Sequence, residues 1–104
     1  MIGLGKWGCD INSLFYSGKV VINITDNNGL YHFDLTLDGF DVPEYEVVDV
    51  QEEGTDTLKI RVLVPMIAKE VDMTVTFTDS SFSGVAKIPF LGKVRFKDGY
   101  RIKD

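Results

Sequence analysis

Side chains that could carry acid–base, nucleophilic or metal chemistry are few in this sequence. His32 is the only histidine and Cys9 the only cysteine among 104 residues. A single imidazole excludes metal centres built from two or three histidines, and a Cys9 nucleophile would need His32 beside it on a neighbouring strand. The sequence contains no Gly-x-Ser-x-Gly segment to expose a serine nucleophile. We therefore expect no catalytic residues and no metal site, and predict that the protein is not an enzyme.

Two short segments look like cofactor or ion motifs but lack the parts that the chemistry requires. The Gly-x-Gly of residues 3–5 precedes a strand pattern, so no helix N-terminus follows it to bind a phosphate. The segment 26–29, DNNG, begins like a calcium loop, but Leu35 stands where the bidentate glutamate belongs. We expect a plain hairpin turn at 26–29 and no cofactor.

Length and charge narrow the class of protein. The chain is long enough for one domain, which we place at residues 1–104. A formal charge of −5 and a pI near 4.7 disfavour binding to a phosphate backbone. The sequence has no apolar run of about 18 residues and no signal-peptide pattern, and a lone cysteine is typical of a reducing compartment. We expect no nucleic-acid partner, no membrane span and a cytoplasmic location.

The elements that must position these side chains are strands. Apolar and polar residues alternate, with the period of a half-buried strand, through segments 19–25, 31–38, 58–64, 71–78, 82–88 and 93–97. The segment around Trp7 and the segment 45–50 would add two more strands. In the latter, Val47 and Val48 interrupt the alternation, which a bulge or burial on both faces would explain. About eight short strands joined by short turns predict an all-β, antiparallel up-and-down barrel.

The residues near the two termini resemble a family signature. Gly5-x-Trp7 on the first strand, with Arg101 on the last, is similar to the signature of the calycins, the superfamily of lipocalins and fatty-acid-binding proteins. A looser likeness to small bacterial lipocalin-like domains extends over nearly the whole chain. It runs through Val64-Pro65-Met66, Phe77-Thr78, Phe82-Ser83-Gly84 and Phe96. The resemblance implies that Trp7 seals one end of the barrel and that Arg101 packs across its face, a cation–π contact.

The sequence leaves two orientations open for Arg101, outward or inward. Simple alternation from Val94 and Phe96 places Arg101 on the outward face, whereas a bulge at Asp98-Gly99 would reverse the phase and turn it towards Trp7. The alternative role for Trp7 is that of a core aromatic residue that anchors a terminal strand. Both alternatives fix the N-terminal segment to the barrel.

Two functions of different class fit such a barrel. The resemblance implies a binding module whose interior holds a small apolar ligand. Its lining would be the inward-facing set Tyr16, Ile22, Tyr31, Phe33, Leu35, Ile60, Val62, Met73, Val75, Phe77, Phe82 and Phe96. Two tyrosine hydroxyls are the evident polar groups of this set, so a ligand with one polar head and an apolar body fits best. Alternatively the same residues fill the interior, and the protein is a structural or interaction domain.

Charge is distributed unevenly along the chain. Between Val20 and Leu58 there are ten acidic residues and no Lys or Arg. Basic residues gather in the final strands, as Lys87, Lys93, Arg95, Lys97, Arg101 and Lys103. One interpretation is a solvated rim whose sign changes from strand to strand. The other is an acidic face and a basic face that dock in a homo-oligomer or on a partner domain.

Overall fold

The alternating segments form β-strands in the structure, a computed structural model that describes residues 1–12, 17–39, 41–89 and 92–102. The strands are β1 (Gly5–Asn12), β2 (Ser17–Asn27), β3 (Leu30–Leu37), β4 (Glu46–Glu53), β5 (Thr57–Val64), β6 (Lys69–Phe77), β7 (Ser81–Ile88) and β8 (Gly92–Ile102). A short 3-10 helix, Pro65–Ile67, connects β5 to β6. Within the described ranges, no helix is long and apolar enough to cross a membrane.

All eight strands belong to one antiparallel sheet. Their order is β3-β2-β1-β8-β7-β6-β5-β4, so chain neighbours pair except at one position, and the first strand pairs with the last. This arrangement is a meander that curls into a nearly closed barrel. The predicted all-β, up-and-down barrel is therefore confirmed.

β3 and β4 are the two strands at the ends of the sheet order, and the contact between them differs from the backbone pairing of the other neighbouring strands. In the described residues no backbone ladder joins them, and side chains bridge this β3–β4 seam instead. The hydroxyl of Tyr45 donates to the carbonyl oxygen of Phe33 at 2.9 Å, and the hydroxyl of Tyr31 donates to Oε2 of Glu52 at 2.5 Å. In the described residues the seam is thus held by side-chain hydrogen bonds and not by a backbone ladder.

The β2–β3 hairpin has the turn that its sequence predicts. Asn28 and Gly29 both have positive φ, 54° and 87°, as a two-residue type I′ turn between paired strands requires. The carboxylate of Asp26 accepts the backbone N–H of Gly29 at 2.7 Å. This bond stabilises the turn and fixes the register of β2 against β3.

Two β-bulges set which side chains face inwards. In β4 the register shifts between Val47 and Asp49, which leaves Val48 exposed, so the bulge is the explanation that holds for the interrupted alternation. In β8 the residues between Phe96 and Gly99 face a single residue of β7, and Asp98 has a φ of 56°. This second bulge lies one residue before the predicted position and reverses the phase of the end of β8.

Burial differs between the strands of the barrel. The buried apolar side chains of the described chain come from β1, β2, β5, β6 and β7: Trp7, Cys9, Ile11, Val20, Ile24, Leu58, Ile60, Val62, Val75, Phe77, Phe82 and Ala86. Inward side chains of β3 and β4, such as Phe33, Leu35 and Val47, are only partly buried. Partly buried inward side chains therefore lie along the β3–β4 seam and also on β8, where Val94 and Phe96 are partly buried.

Candidate functional site

The interior of the barrel contains an apolar cavity of about 320 Å³. It runs from Trp7 and Phe77, near one end of the strands, to Leu37 and Val64, near the other. Strands from every part of the sheet contribute to its wall. A volume in this range lies at the lower end of pockets that hold small organic molecules, about 300–1,000 Å³.

Most of the residues expected to face the interior do line this cavity. They are Ile22, Phe33, Leu35, Ile60, Val62, Met73, Val75, Phe77, Phe82 and Phe96. Tyr16 lies outside the described residues. Tyr31 does not line the cavity, although its alternation phase is that of Phe33.

Tyr31 is held away from the cavity by partners at the β3–β4 seam. Its hydroxyl donates to Glu52 at 2.5 Å and accepts the backbone N–H of Ile2 at 2.6 Å. Its ring stacks on Phe33 with a centroid separation of 5.9 Å. Burial, with the hydrogen bond to Glu52, raises the pKa of the Tyr31 hydroxyl. Protein groups therefore provide the hydrogen-bond partners of this hydroxyl, and it does not face the cavity. The structure gives no support to the expectation that the Tyr31 hydroxyl contacts the polar head of a ligand.

Several lining residues were not predicted. They are Trp7, Ile11, Val20, Ile24, Leu37, Val42, Pro43, Tyr45, Val47, Val64, Val71, Ala86, Ile88 and Val94. Those that lie on strands are at inward positions of the alternating pattern, like the residues that were predicted, so this pattern could have identified them. Val42, Pro43 and Tyr45 come from the irregular segment before β4, where no period identifies the inward side.

Trp7 and Arg101 lie together at one end of the barrel. The guanidinium carbon of Arg101 is 4.2 Å from the centroid of the Trp7 ring. Arg101 also donates through Nε to the carbonyl of Asp79 at 3.0 Å and through Nη1 to that of Leu4 at 3.1 Å. It thereby connects the N-terminal segment and the β6–β7 turn to the strand that carries it.

The Trp7 side chain is almost fully buried, with 1% exposure, and its polar atom is satisfied. Nε1 donates to the carbonyl of Gly3 at 2.8 Å. The ring packs against Phe77 at 5.0 Å and edge-on against Phe82 at 5.8 Å between centroids. These contacts form an aromatic cluster, Trp7-Phe77-Phe82, that lines one end of the cavity.

The residues with the most reactive side chains are not brought together. Cys9 on β1 is buried, and burial raises the pKa of its thiol. That thiol donates to the carbonyl of Lys97 at 3.3 Å. His32 lies on β3, separated from β1 by β2, and its exposed ring contacts Asp34 at 3.3 Å. In residues 1–12, 17–39, 41–89 and 92–102, no group of three or more His, Cys, Asp or Glu could hold a metal ion.

Acidic and basic strands occupy opposite sides of the barrel. β4 carries four carboxylates and neither Lys nor Arg, whereas β8 carries four basic residues and one acidic residue. The sheet order places β4 four strands from β8, and the β3–β4 seam closes the other half of the circle. The charge asymmetry of the sequence is therefore also an asymmetry of the molecular surface.

The eight-stranded barrel and the pairing of Trp7 with Arg101 are the two features of the structure that the sequence resemblance implied. A shared fold does not establish a shared function, because one architecture hosts many activities. Comparison with protein-family models, with curated proteins and with solved structures found no match to this chain.

Proposed function

We propose that the protein is a non-enzymatic binding module that holds a small hydrophobic ligand in the barrel interior, as the lipocalin-like domains that it resembles do. The observation that carries the proposal is the 320 Å³ cavity with its apolar wall. In a barrel filled by side chains, the interior would instead be packed to the density of an ordinary protein core.

The physical reason for ligand binding is the poor hydration of such a cavity. Apolar cavities hold water weakly because water finds no hydrogen-bond partners on the walls, and they accept apolar molecules of suitable size. A ligand entering this cavity would gain contacts with side chains such as Phe33, Leu35 and Val62. It would also leave water, which is favourable for apolar surface.

A titration with N-phenyl-naphthylamine, an uncharged lipophilic dye, tests the proposal. We expect saturable fluorescence enhancement with the unmodified protein and its loss in Val62→Phe, which adds volume inside the cavity. The matched control is Arg61→Lys, since Arg61 is the exposed neighbour on the same strand. Native mass spectrometry of protein purified without detergent would reveal any small molecule that copurifies. Absence of saturable dye binding by the unmodified protein would contradict the proposal.

A second candidate function is an interaction domain that associates through its charged sides. The observation in its favour is the acidic β4 opposite the basic β8. Because these surfaces lie on opposite sides of the barrel, one symmetric interface could not include both, and their contact would be head-to-tail. Sedimentation velocity at low and high salt tests it: association that disappears with added salt supports the candidate, and a monomer at both salt concentrations refutes it.

A further inference from the structure

The cavity wall offers almost no hydrogen-bond donors to a ligand. In the described part of the chain, Trp7 and Tyr45 are the lining residues whose side chains have an N–H or O–H group. Both donors are engaged by the protein, Trp7 with Gly3 at 2.8 Å and Tyr45 with Phe33 at 2.9 Å. A polar group placed inside would therefore lose its water without finding a free donor.

The described part of the cavity wall also contains no counter-ion. Among the described residues, no Lys, Arg or His lines it. Arg101 lies beside the aromatic cluster, but its guanidinium lies against the ring of Trp7 and donates to the carbonyls of Leu4 and Asp79. Its charge thus interacts with protein groups. A carboxylate in the cavity would have no ionic partner among the described lining residues.

We infer that the ligand is a small, uncharged molecule of hydrocarbon character that places no polar group inside the barrel. This inference rests on the proposed function and departs from the amphipathic ligand expected from the tyrosine hydroxyls, because the hydroxyl of Tyr31 is bonded to Glu52 and to Ile2, while Tyr16 lies outside the described residues. An unpartnered carboxylate is strongly disfavoured in apolar surroundings, and an unpartnered hydroxyl is disfavoured to a lesser degree. The 320 Å³ volume is about twice that of a cavity of ~150 Å³ that binds benzene. The ligand is therefore about the size of two or three aromatic rings.

Three probes of nearly equal shape test this inference: methylnaphthalene, naphthalenemethanol and naphthoate, titrated at neutral pH by calorimetry. We expect methylnaphthalene to bind most tightly, naphthalenemethanol roughly tenfold more weakly, and naphthoate at least roughly 100-fold more weakly. The ranking is measured on the unmodified protein, so it does not depend on whether a variant folds.

Methyl NMR spectra locate the bound probe. Methylnaphthalene should shift the methyl signals of Ile60, Met73 and Val75, which line the cavity. The methyl signals of Val48, which is 51% exposed on the outside of the barrel, provide the control and should not move.

The possible results separate the inference from the proposed function. If naphthoate or naphthalenemethanol binds inside as tightly as methylnaphthalene, the inference is wrong and the binding function stands. If no probe binds, the proposed function fails and the inference fails with it. Selective binding of methylnaphthalene, with shifts confined to the cavity methyls, supports both.

Discussion

Arg101 stacks on Trp7, with its guanidinium carbon 4.2 Å from the ring centroid. Trp7 and Arg101 are direct cross-strand partners in β1 and β8. The bulge between Phe96 and Gly99 gives Arg101 the strand phase that this contact needs. A local irregularity in one strand therefore determines a contact between the two ends of the chain.

The first prediction concerns the energy of this contact. A double-mutant cycle with Trp7→Leu and Arg101→Met should give a coupling free energy of about 0.5–2 kcal/mol, because a cation over an indole ring is attracted by its electron-rich face. The measurement is the free energy of unfolding of the four proteins in urea.

The matched control for this cycle is Arg95→Met. Arg95 lies on the same strand as Arg101, but its side chain is exposed. Its combination with Trp7→Leu should be additive within about 0.5 kcal/mol. Additive behaviour of the Arg101 cycle as well would show that the stacked geometry contributes no measurable stability.

The second prediction concerns Trp7 itself. Trp7→Ala should lower the free energy of unfolding by about 3–5 kcal/mol, since it removes a large buried aromatic side chain. Trp7 is the only tryptophan, so native fluorescence reports this site alone. We expect blue-shifted emission that acrylamide quenches poorly, because the ring is 1% exposed. Red-shifted and freely quenched emission would contradict the buried position.

The strands and the inward phase of most lining residues could be predicted because alternation is a local property of the sequence. The orientation of the Tyr31 hydroxyl could not, since it depends on Glu52 and on the amide of Ile2, both distant in sequence. The contribution of Tyr45 and its neighbours was missed for a related reason. An irregular segment has no period, and only its path across the β3–β4 seam places it against the cavity.

The third prediction uses a glycine where β6 and β7 approach closely. A Cβ atom at Gly84 would lie 2.5 Å from the carbonyl oxygen of Thr74 and 3.1 Å from Cα of Val75. These are backbone atoms of a paired strand and cannot move aside without disturbing the ladder. Gly84→Ala should therefore destabilise the fold by about 1–3 kcal/mol, measured by chemical denaturation.

The control for Gly84 is its exposed neighbour in β7. Ser83→Ala should change stability by no more than about 0.5 kcal/mol, because the side chain of Ser83 faces solvent. Equal stability of Gly84→Ala and the unmodified protein would mean that the two strands are farther apart than the structure places them.

The fourth prediction concerns the thiol of Cys9. Its side chain is fully buried and burial raises its pKa, so a thiol reagent should react at the rate at which the protein opens and much faster after denaturation. The unfolded chain loses this proton at lower pH than the folded chain. Stability should therefore fall as pH rises above the unfolded pKa.

The pH effect of Cys9 is isolated by comparison with Cys9→Ala. Between about pH 7 and about pH 10, the unmodified protein should lose more stability than the variant, because only the unmodified protein has this thiol to ionise on unfolding. Tyr31 is present in both proteins, so its raised pKa cancels in the comparison. Rapid labelling of the native protein would refute the buried position of the thiol.

The fifth prediction compares two phenylalanines on the cavity wall. Phe77 is 8% exposed and packs against Trp7 at 5.0 Å and Phe82 at 6.0 Å between centroids. Phe33 is only partly buried and lies at the β3–β4 seam. Phe77→Ala should therefore destabilise the fold by about 3–5 kcal/mol, and Phe33→Ala by less than about half of that.

Dye affinity is the informative measurement for Phe33→Ala, whereas stability is the informative measurement for Phe77→Ala. Phe33→Ala should weaken the affinity for N-phenyl-naphthylamine while the fold stays largely intact, since it removes one wall of a cavity that already exists. For Phe77→Ala the first measurement is the free energy of unfolding, because this substitution disrupts the aromatic cluster that closes one end of the interior. In a barrel filled by side chains, both substitutions would instead create new cavities at full cost. Core-like destabilisation at both positions, with no dye binding by the unmodified protein, would leave only the interaction-domain function.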